Sequence, residues 1–218
     1  MNDGFERVSD WLEAHGHAHR PVALPVAART AKEAADGLGV QLGQIAKSVI
    51  FRRLADDVAV LVVTSGDQRV DERKVAALTG PLGRADAAFV KARTGFSIGG
   101  VSPVAHLQRP VTLIDRELFR FDVVWAAAGH PNGVFAASPQ QLVGMTDAPV
   151  ADVVQSVPSP CTDVCKLDPV DGLCRGCYRT RDEIASWSKI DDDARRALLA
   201  VLDVRRREHP GFAPLPAP

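Results

Sequence analysis

Lys47 lies in the middle of an otherwise apolar run, LGQIAKSVIF. Its stem could lie along apolar surface while the amine reaches water. Alternatively, a cleft could hold the ammonium so that it binds an anionic or ester oxygen. Two turns elsewhere would suit such a cleft. The pair Gly99–Gly100 exposes backbone amides to close approach by a ligand, and GHPNG at 129–133 is a polar turn after a predicted strand. Asp115 ends another predicted strand.

A second group of residues has the spacing of metal ligands. All four cysteines lie within seventeen residues, in the pattern C-x3-C-x8-C-x2-C: Cys161, Cys165, Cys174 and Cys177. Closely spaced thiols can surround one ion because short loops cost little closure entropy. In a reducing compartment such a cluster indicates a metal rather than disulfides. Zinc and an iron–sulfur cluster both accept four thiolates, and the spacing does not decide between them.

Apolar periodicity and capping residues predict the elements that must position these groups. Helices are expected over 3–15, 31–38, 71–78, 86–93, 139–143 and 180–207. A hairpin is expected within 47–66, and further strands over 21–28, 111–114, 123–127 and 134–137, with a final strand that runs into a Pro/Ser linker over 148–160. These elements alternate without a regular βαβ repeat, which favours an α+β fold with a mixed sheet. A Pro/Ser linker then separates a domain over 1–154 from a small Cys-rich loop and helix module over 158–208.

Composition limits the classes of function. The 218 residues are 46% hydrophobic and 24% charged, with a formal net charge of −1. Such a chain does not bind nucleic acid by charge alone, so a nucleic-acid partner must be argued from a site. No apolar run approaches the roughly 18 residues that span a bilayer, and the amino terminus lacks the pattern of a signal peptide. We expect a cytoplasmic protein with no membrane or DNA partner.

An ordered set of motifs over about 1–150 resembles a known family. The motifs are Thr30-Ala31 with Glu33-Ala34-Ala35, LGVQLGQIAKSVIF, TGFSIGGVSPVAH, VTLIDREL and AAAGHPNGVF. Together they resemble the YbaK/ProX family of aminoacyl-tRNA deacylases, which is related to the editing domain of some prolyl-tRNA synthetases. The resemblance implies a strongly curved, barrel-like mixed sheet surrounded by helices. It also implies trans-editing hydrolysis of the ester that joins a wrong amino acid to tRNA, with the aminoacyl-tRNA 3′ end and an aminoacyl-tRNA synthetase as partners.

The resemblance also implies roles for individual residues. It assigns catalysis to Lys47, Gly99, Gly100 and Asp115, and substrate binding to Thr30, Ser102, Gly129 and His130. The GHP turn suits family members that act on a small or hydroxylated amino acid, such as alanine, serine, threonine or cysteine. From the residues alone two of these assignments stay open. His130 could be a loop histidine held by backbone hydrogen bonds, and Asp115 could be a turn-forming or capping carboxylate.

The chemistry is consistent with these residue types. An aminoacyl ester is already activated, so no covalent nucleophile is required. Hydrolysis then requires a placed water, stabilisation of the tetrahedral oxygen and exclusion of larger side chains. Backbone amides at Gly99–Gly100 could donate to that oxygen. No cofactor is expected for this domain.

The cysteine segment resembles a second family. Ser159-Pro160 precede Cys161, and CYRT at 177–180 leads to Glu183-Ile184 and Trp187. This pattern is similar to that of a small bacterial domain family of unknown function, whose members are described as predicted iron–sulfur proteins. The resemblance implies zinc or an iron–sulfur cluster at the four cysteines. Thr180 and Glu183 also have capping-box spacing, so part of the motif could only start a helix.

Two alternative functions remain open from the sequence. The large domain could be a non-catalytic protein that binds a small ligand or the end of a tRNA. Alternatively, the four-cysteine module could dominate, as a redox or iron-responsive element that controls the large domain. The five remaining histidines show no ligand spacing and are expected at the surface: His15, His17, His19, His106 and His209.

Overall fold

The computed structural model describes residues 3–24, 28 and 30–209. The chain divides into two compact units, Met1–Val70 with Lys74–Val154, and Asp71–Arg73 with Gln155–Pro218. Every helix among the described residues is too short or too polar to cross a lipid bilayer.

The first unit is built on one mixed sheet. Its strands, among the described residues, are β1 Val22–Ala23, β2 Ile45–Arg53, β3 Ala59–Ser65, β4 Leu82–Arg84, β5 Val111–Asp115, β6 Val124–Ala127, β7 Gly133–Ala137 and β8 Val150–Ala151. The strand order is β1-β7-β6-β2-β3-β5-β8, and β4 pairs with the end of β2. The β2–β6, β3–β5 and β5–β8 pairs are parallel, and the others are antiparallel.

The described residues also form seven α-helices. They are α1 Asp3–Ala14, α2 Ala31–Leu38, α3 Glu72–Thr79, α4 Ala87–Thr94, α5 Pro139–Thr146, α6 Arg181–Ser186 and α7 Asp192–Glu208. Four of them start at an expected capping residue: Thr30 with Glu33 at α2, Asp86 at α4, Ser138 at α5, and Thr180 with Glu183 at α6. The predicted α+β class, with a mixed sheet and surrounding helices, is confirmed.

The two faces of the sheet carry different clusters. β3 is buried along its whole length, so its β-branched residues pack on both sides. Leu61 and Val63 join the main core with Phe5 and Leu12 of α1. Val60 and Val62 pack on the opposite face with Val75 of α3 and Leu113 of β5. Because successive strand residues alternate between faces, Thr64 and its cross-strand partner Lys47 share the face of Val62.

Three strand predictions in this unit need correction. The strand expected over 21–28 is only Val22–Ala23, and part of the predicted range, 25–27, lies outside the described residues. Of the stretch 148–160, expected as a final strand that runs into a Pro/Ser linker, only Val150–Ala151 is a strand, paired with Ile114 and Asp115 of β5. β4 was not predicted, since its three residues include a glycine and show no alternation.

In the second unit, the helix expected over 180–207 is two helices, α6 and α7. Asp191 caps α7 by accepting a hydrogen bond from the Ala194 backbone N–H, which starts a new helix within the predicted one. Trp187 directly follows α6, is buried, and donates its indole N–H to Gln155 Oε1 over 2.9 Å.

A buried arginine lies at the centre of the second unit. The side chain of Arg195 is fully buried and binds Asp71 Oδ2 over 2.7 Å. It also donates to the Trp187 backbone carbonyl over 3.1 Å. A buried guanidinium needs such partners, since an unpaired buried charge costs several kcal/mol.

Candidate active site

The amine of Lys47 is held by backbone rather than by bulk water. Lys47 is half-buried, and its Nζ donates to the carbonyl oxygens of Gln68, 2.8 Å away, and Gly66, 3.5 Å away. Burial lowers the pKa of Lys47 below its ordinary value, and the nearby Arg69 lowers it further, while Asp67 opposes the shift. An ammonium has three N–H donors. The two carbonyls are its hydrogen-bond partners among the described residues, so one N–H is left for a ligand.

The loop that receives this amine is fixed at several points. Arg120 binds both carboxylate oxygens of Asp67, over 2.8 and 3.0 Å. Ser65 Oγ donates to the Gly43 carbonyl oxygen at the end of β3. A Cβ at Gly66 would collide with the Leu42 carbonyl oxygen, so this position has no room for a side chain. Lys47 therefore reaches a preorganised segment of backbone.

Asp115 lies on the same face of the sheet, two strands away from Lys47. Lys47 is directly opposite Thr64 on β3, and Thr64 Oγ1 donates to Asp115 Oδ2 over 3.0 Å. Asp115 is fully buried, and its Oδ1 has no hydrogen-bond partner among the described residues. Burial raises the pKa of Asp115 to about 6, although the hydrogen bond from Thr64 works against the rise.

Thr64 was not singled out from the sequence. The signal was available, because pairing the two strands of the hairpin opposes Lys47 and Thr64. The capping role left open for Asp115 is not observed: a 3-10 turn follows it at Arg116–Arg120, but the Asp115 side chain makes no capping hydrogen bond.

The glycine pair and the histidine turn meet each other directly. A Cβ added at Gly100 would lie 2.8 Å from the His130 carbonyl carbon and 2.9 Å from the Pro131 nitrogen. Gly99 has a φ of 89°, a conformation that glycine adopts at little cost. The Gly100 N–H already donates to the Ser97 carbonyl oxygen over 3.0 Å. This leaves the Gly99 N–H as the donor that the pair can offer to a ligand.

His130 has one ring nitrogen committed to its own turn. Its Nδ1 accepts a hydrogen bond from the Asn132 backbone N–H over 3.0 Å, so in the neutral ring Nε2 carries the proton. This hydrogen bond agrees with the interpretation of His130 as a loop histidine held by the backbone. The Nε2–H of the ring is left as a donor. The preceding Gly129 has a φ of 77°, and a Cβ there would collide with the Gly4 carbonyl of α1.

The predicted site residues therefore form two groups, one on β2 and β5 and the other in two loops. Lys47 and Asp115 belong to one group, and Gly99–Gly100 with Gly129–His130 belongs to the other. The parallel pairing of Ala46 with Ala126 places the strand that leads into the histidine turn beside Lys47. Within the described residues Lys47 Nζ has no hydrogen bond to either glycine of the pair.

Thr30 and Ser102 have structural contacts. Thr30 Oγ1 accepts from the Glu33 backbone N–H over 3.2 Å in the capping box of α2. Ser102 is fully buried, and its Oγ accepts from the Val104 backbone N–H over 3.3 Å. Both hydroxyls therefore hold local turns.

The surface assignment of the histidines is wrong for His106. His106 is half-buried, its Nε2 is enclosed without a partner among the described residues, and burial lowers its pKa to about 4. Its ring meets Phe96 edge-on, with centroids 5.7 Å apart. His17 and His209 are also half-buried. Spacing rules for metal ligands carry no information about such packing.

The four cysteines of the second unit differ in exposure. Cys174 and Cys177 are buried, Cys161 is half-buried and Cys165 is exposed. Cys161 Sγ and Cys165 Sγ are 4.0 Å apart. Two sulfurs of a tetrahedral zinc site, with Zn–S bonds of about 2.3 Å, are separated by roughly 3.8 Å, so this pair fits one edge of such a site. Among the described residues, however, no group of three or more ligating side chains is assembled for a metal.

An arginine side chain donates to Cys177, one of the two buried cysteines. Arg179 is buried and donates from Nε to Cys177 Sγ over 3.3 Å. Its guanidinium also lies over the Trp187 ring, 5.1 Å from the centroid. A cationic donor of this kind stabilises a thiolate, the form of cysteine that binds metals.

The mixed sheet, the held lysine and the paired glycine and histidine turns define the class of protein: an editing domain of the aminoacyl-tRNA type. The sequence profile of the aminoacyl-tRNA editing domain matches residues 26–145, more than half of the chain, and the chain belongs to this family. Residues 159–206 match the profile of a protein family of unknown function, DUF1289. Both resemblances drawn from the motifs are thereby confirmed.

Two uncharacterized bacterial proteins are similar to part of this chain. The uncharacterized protein YwhH of Bacillus subtilis is 36% identical over 114 residues, which cover 52% of this chain and 72% of YwhH. The uncharacterized protein YdhL of Escherichia coli K12 is 44% identical over 45 residues, or 21% of this chain and 56% of YdhL.

Solved structures match the first unit. A candidate trans-editing enzyme for prolyl-tRNA synthetase shares 39% identity at a TM-score of 0.67, with 72% of this chain and 99% of that one covered. A hypothetical protein shares 35% identity at a TM-score of 0.64, over 68% of this chain and 99% of that one.

Proposed function

We propose that the first unit is a trans-editing deacylase, which hydrolyses the ester of a mischarged aminoacyl-tRNA. The observation that carries the proposal is the Lys47 amine, half-buried and held by two backbone carbonyls with one N–H left over. Family membership supports the same conclusion, as does the similar structure of a candidate trans-editing enzyme for prolyl-tRNA synthetase. The proposed partners are the aminoacyl-tRNA 3′ end and an aminoacyl-tRNA synthetase.

In the proposed reaction the chain orients the ester and stabilises charge. The free N–H of Lys47 binds an oxygen of the terminal ribose or phosphate and fixes the ester in place. The Gly99 N–H and the His130 Nε2–H donate to the carbonyl oxygen as it becomes negative. A water oxygen bonds to the carbonyl carbon, the bond from that carbon to the ribose oxygen breaks, and a proton passes to the ribose oxygen. Asp115, ionised above about pH 6, offers its unpartnered Oδ1 as the acceptor for the water proton.

The proposed substrates carry a small amino acid such as alanine, serine, threonine or cysteine. The GHP sequence of the turn agrees with the same size class.

A deacylation panel tests the proposal. Transfer RNAs charged with each of the four amino acids are offered to the wild type, to Lys47→Ala and to Lys32→Ala, a matched control at an exposed lysine paired with Asp36. We expect turnover of at least one substrate by the wild type and the control. Lys47→Ala should lose at least a hundredfold in rate, the effect of removing one preorganised donor, at an unchanged melting temperature.

Two results would contradict the proposal. Full activity of Lys47→Ala would remove the lysine from the mechanism. Absence of turnover by the wild type on all four substrates, with tRNA still bound, would support the non-catalytic alternative instead.

For the second unit we propose that Cys161, Cys165, Cys174 and Cys177 together hold one zinc ion or an iron–sulfur cluster. Support comes from the all-thiol donor set, the 4.0 Å separation of Cys161 and Cys165, and the Arg179 donor at Cys177. A bound metal would supply fold stability, and an iron–sulfur cluster would add a redox centre.

Elemental analysis of the purified protein tests this site. We expect a stoichiometric metal in the wild type, with an absorbance band that bleaches on reduction if iron and sulfide are present. Cys174→Ser should lose most of the bound metal. Equal metal content in the wild type and this variant would contradict the assignment.

A further inference from the structure

A cleft of about 340 Å³ lies at the carboxyl end of α1, apart from the residues assigned to hydrolysis. Its lining residues come from α1 and the turn after it, and from α5: Trp11, His15, Gly16, His17, Gln141, Gly144 and Met145. This volume is within the range of pockets that bind small organic groups. None of the seven residues carries a formal charge at neutral pH when the histidines are neutral, so the lining favours an uncharged ligand.

The lining residues combine a flat aromatic surface with uncommitted polar atoms. The rings of Trp11 and His15 are stacked, with centroids 3.8 Å apart and an interplanar angle of 15°. His15 Nδ1 is 2.7 Å from the Trp11 carbonyl oxygen and must donate to it, which leaves Nε2 as an acceptor in the neutral ring. His17 Nε2 likewise donates to the Ala136 carbonyl oxygen over 2.8 Å, which leaves Nδ1 as an acceptor.

Two donors complete the set. Gln141 uses its Oε1 to accept from the Ser138 backbone N–H over 2.8 Å, so its amide N–H₂ is left over. The indole N–H of Trp11 has no hydrogen-bond partner among the described residues, although the ring is packed partly against the main core. A planar, uncharged ligand with both donors and acceptors on its edge matches this arrangement, and an unpaired nucleobase is such a ligand.

The cleft is also connected to the candidate active site through a single helix. The first turn of α1 contacts the histidine turn, because the Gly4 carbonyl lies against Gly129. From Gly4 to Ala14 the helix rises about 15 Å, at 1.5 Å for each of ten residues. A stacked single strand advances roughly 3.4 Å per nucleotide, so about four or five nucleotides span this distance. The unpaired 3′ end of tRNA has this length scale.

We propose that the α1–α5 cleft binds an unpaired nucleobase of the tRNA 3′ end, a few nucleotides before the esterified ribose. This inference rests on the proposed function for its ligand, and it adds a binding site that the hydrolytic residues do not contain. The base stacks on the His15 face of the Trp11–His15 pair, and its edge pairs with Gln141 and His17.

Equilibrium binding of uncharged tRNA tests the inference without any hydrolysis. Fluorescence anisotropy of 5′-labelled tRNA is measured with the wild type, His15→Ala and Trp11→Leu, which keeps an apolar side chain against the core. His19→Ala is the control, since His19 is an exposed histidine outside the lining. Melting temperatures confirm that each variant is folded.

We expect Kd to rise about fivefold to a hundredfold in His15→Ala and Trp11→Leu, the range for loss of one stacked base, and to stay at the wild-type value in His19→Ala. For a tRNA that lacks its four unpaired 3′ nucleotides, the wild type and His15→Ala should have the same Kd. Wild-type affinity in both cleft variants would overturn the inference. The inference would also fail if His19→Ala weakened binding as much as the cleft variants do, or if His15→Ala still weakened binding of the truncated tRNA.

These outcomes separate the inference from the proposed function. Hydrolysis of charged tRNA with cleft-independent binding would retain the deacylase and reject the base-binding cleft. Cleft-dependent binding without hydrolysis would reject the deacylase and retain the base-binding cleft. If hydrolysis occurs, the cleft variants should lose more kcat/KM on full-length tRNA than on an aminoacyl ester of the terminal nucleoside alone.

Discussion

Replacement of Asp115 by asparagine should make the protein more stable at neutral pH and remove part of its pH dependence. Asp115 is fully buried with one oxygen unpartnered, and burial raises its pKa from 3.8 to about 6. Asparagine has nearly the same shape and can still accept the hydrogen bond from Thr64. It carries no charge, so the cost of burying a carboxylate disappears.

The size and sign of the effect follow from proton linkage. Between pH 3.8 and about 6 the folded state binds more protons at Asp115 than the unfolded state does, so wild-type stability falls as pH rises through this window. A shift of about two pKa units corresponds to roughly 3 kcal/mol. The stability of Asp115→Asn relative to wild type should therefore rise by that amount between about pH 4 and pH 7.

Urea unfolding of both proteins at several pH values between 3.5 and 7.5 measures the difference directly. Asp122→Asn, at an exposed carboxylate, is the control and should differ from wild type by a constant amount. A pH-independent difference for Asp115→Asn would refute the reasoning. The same variant should lose deacylase activity if Asp115 accepts the water proton, because an amide cannot do so.

Two further variants test packing in the two units. Gly100→Ala should lose activity and about 1–3 kcal/mol of stability, because its Cβ would meet backbone at 2.8 Å. Gly37→Ala is the control and should fold normally, since its Cβ meets only Leu24 methyl groups, the nearer at 3.9 Å. Deacylation assays and urea unfolding compare the two variants. Arg195→Ala should lose about 3–5 kcal/mol by removing the fully buried guanidinium that binds the Asp71 carboxylate, while Arg206→Ala, from an exposed pair, should lose less than about 1 kcal/mol; equal losses in the two variants would contradict the buried-pair argument.

Much of the fold could be predicted from the sequence because local signals were strong. The capping box at Thr30 and Glu33 and the β-branched hairpin over β2 and β3 specify their elements with nearby residues alone. β4 could not be found in this way, since three residues gain their strand geometry only by pairing with β2. The break before Asp191 was missed because the flanking residues look helical on both sides.

The candidate site shows the same division between local and distant information. Lys47 was identified by its apolar neighbours, but its partners are the carbonyls of Gly66 and Gln68, about twenty residues away, and carbonyls leave no mark in a sequence. The contact between Gly100 and the His130 turn likewise depends on loops that only the folded chain brings together.

The contact of Gly4 with Gly129 makes the first turn of α1 a wall of the histidine turn. A substitution that shifts the backbone of this turn should therefore also displace the loop that carries His130. Residues far apart in the sequence are mechanically linked at this point.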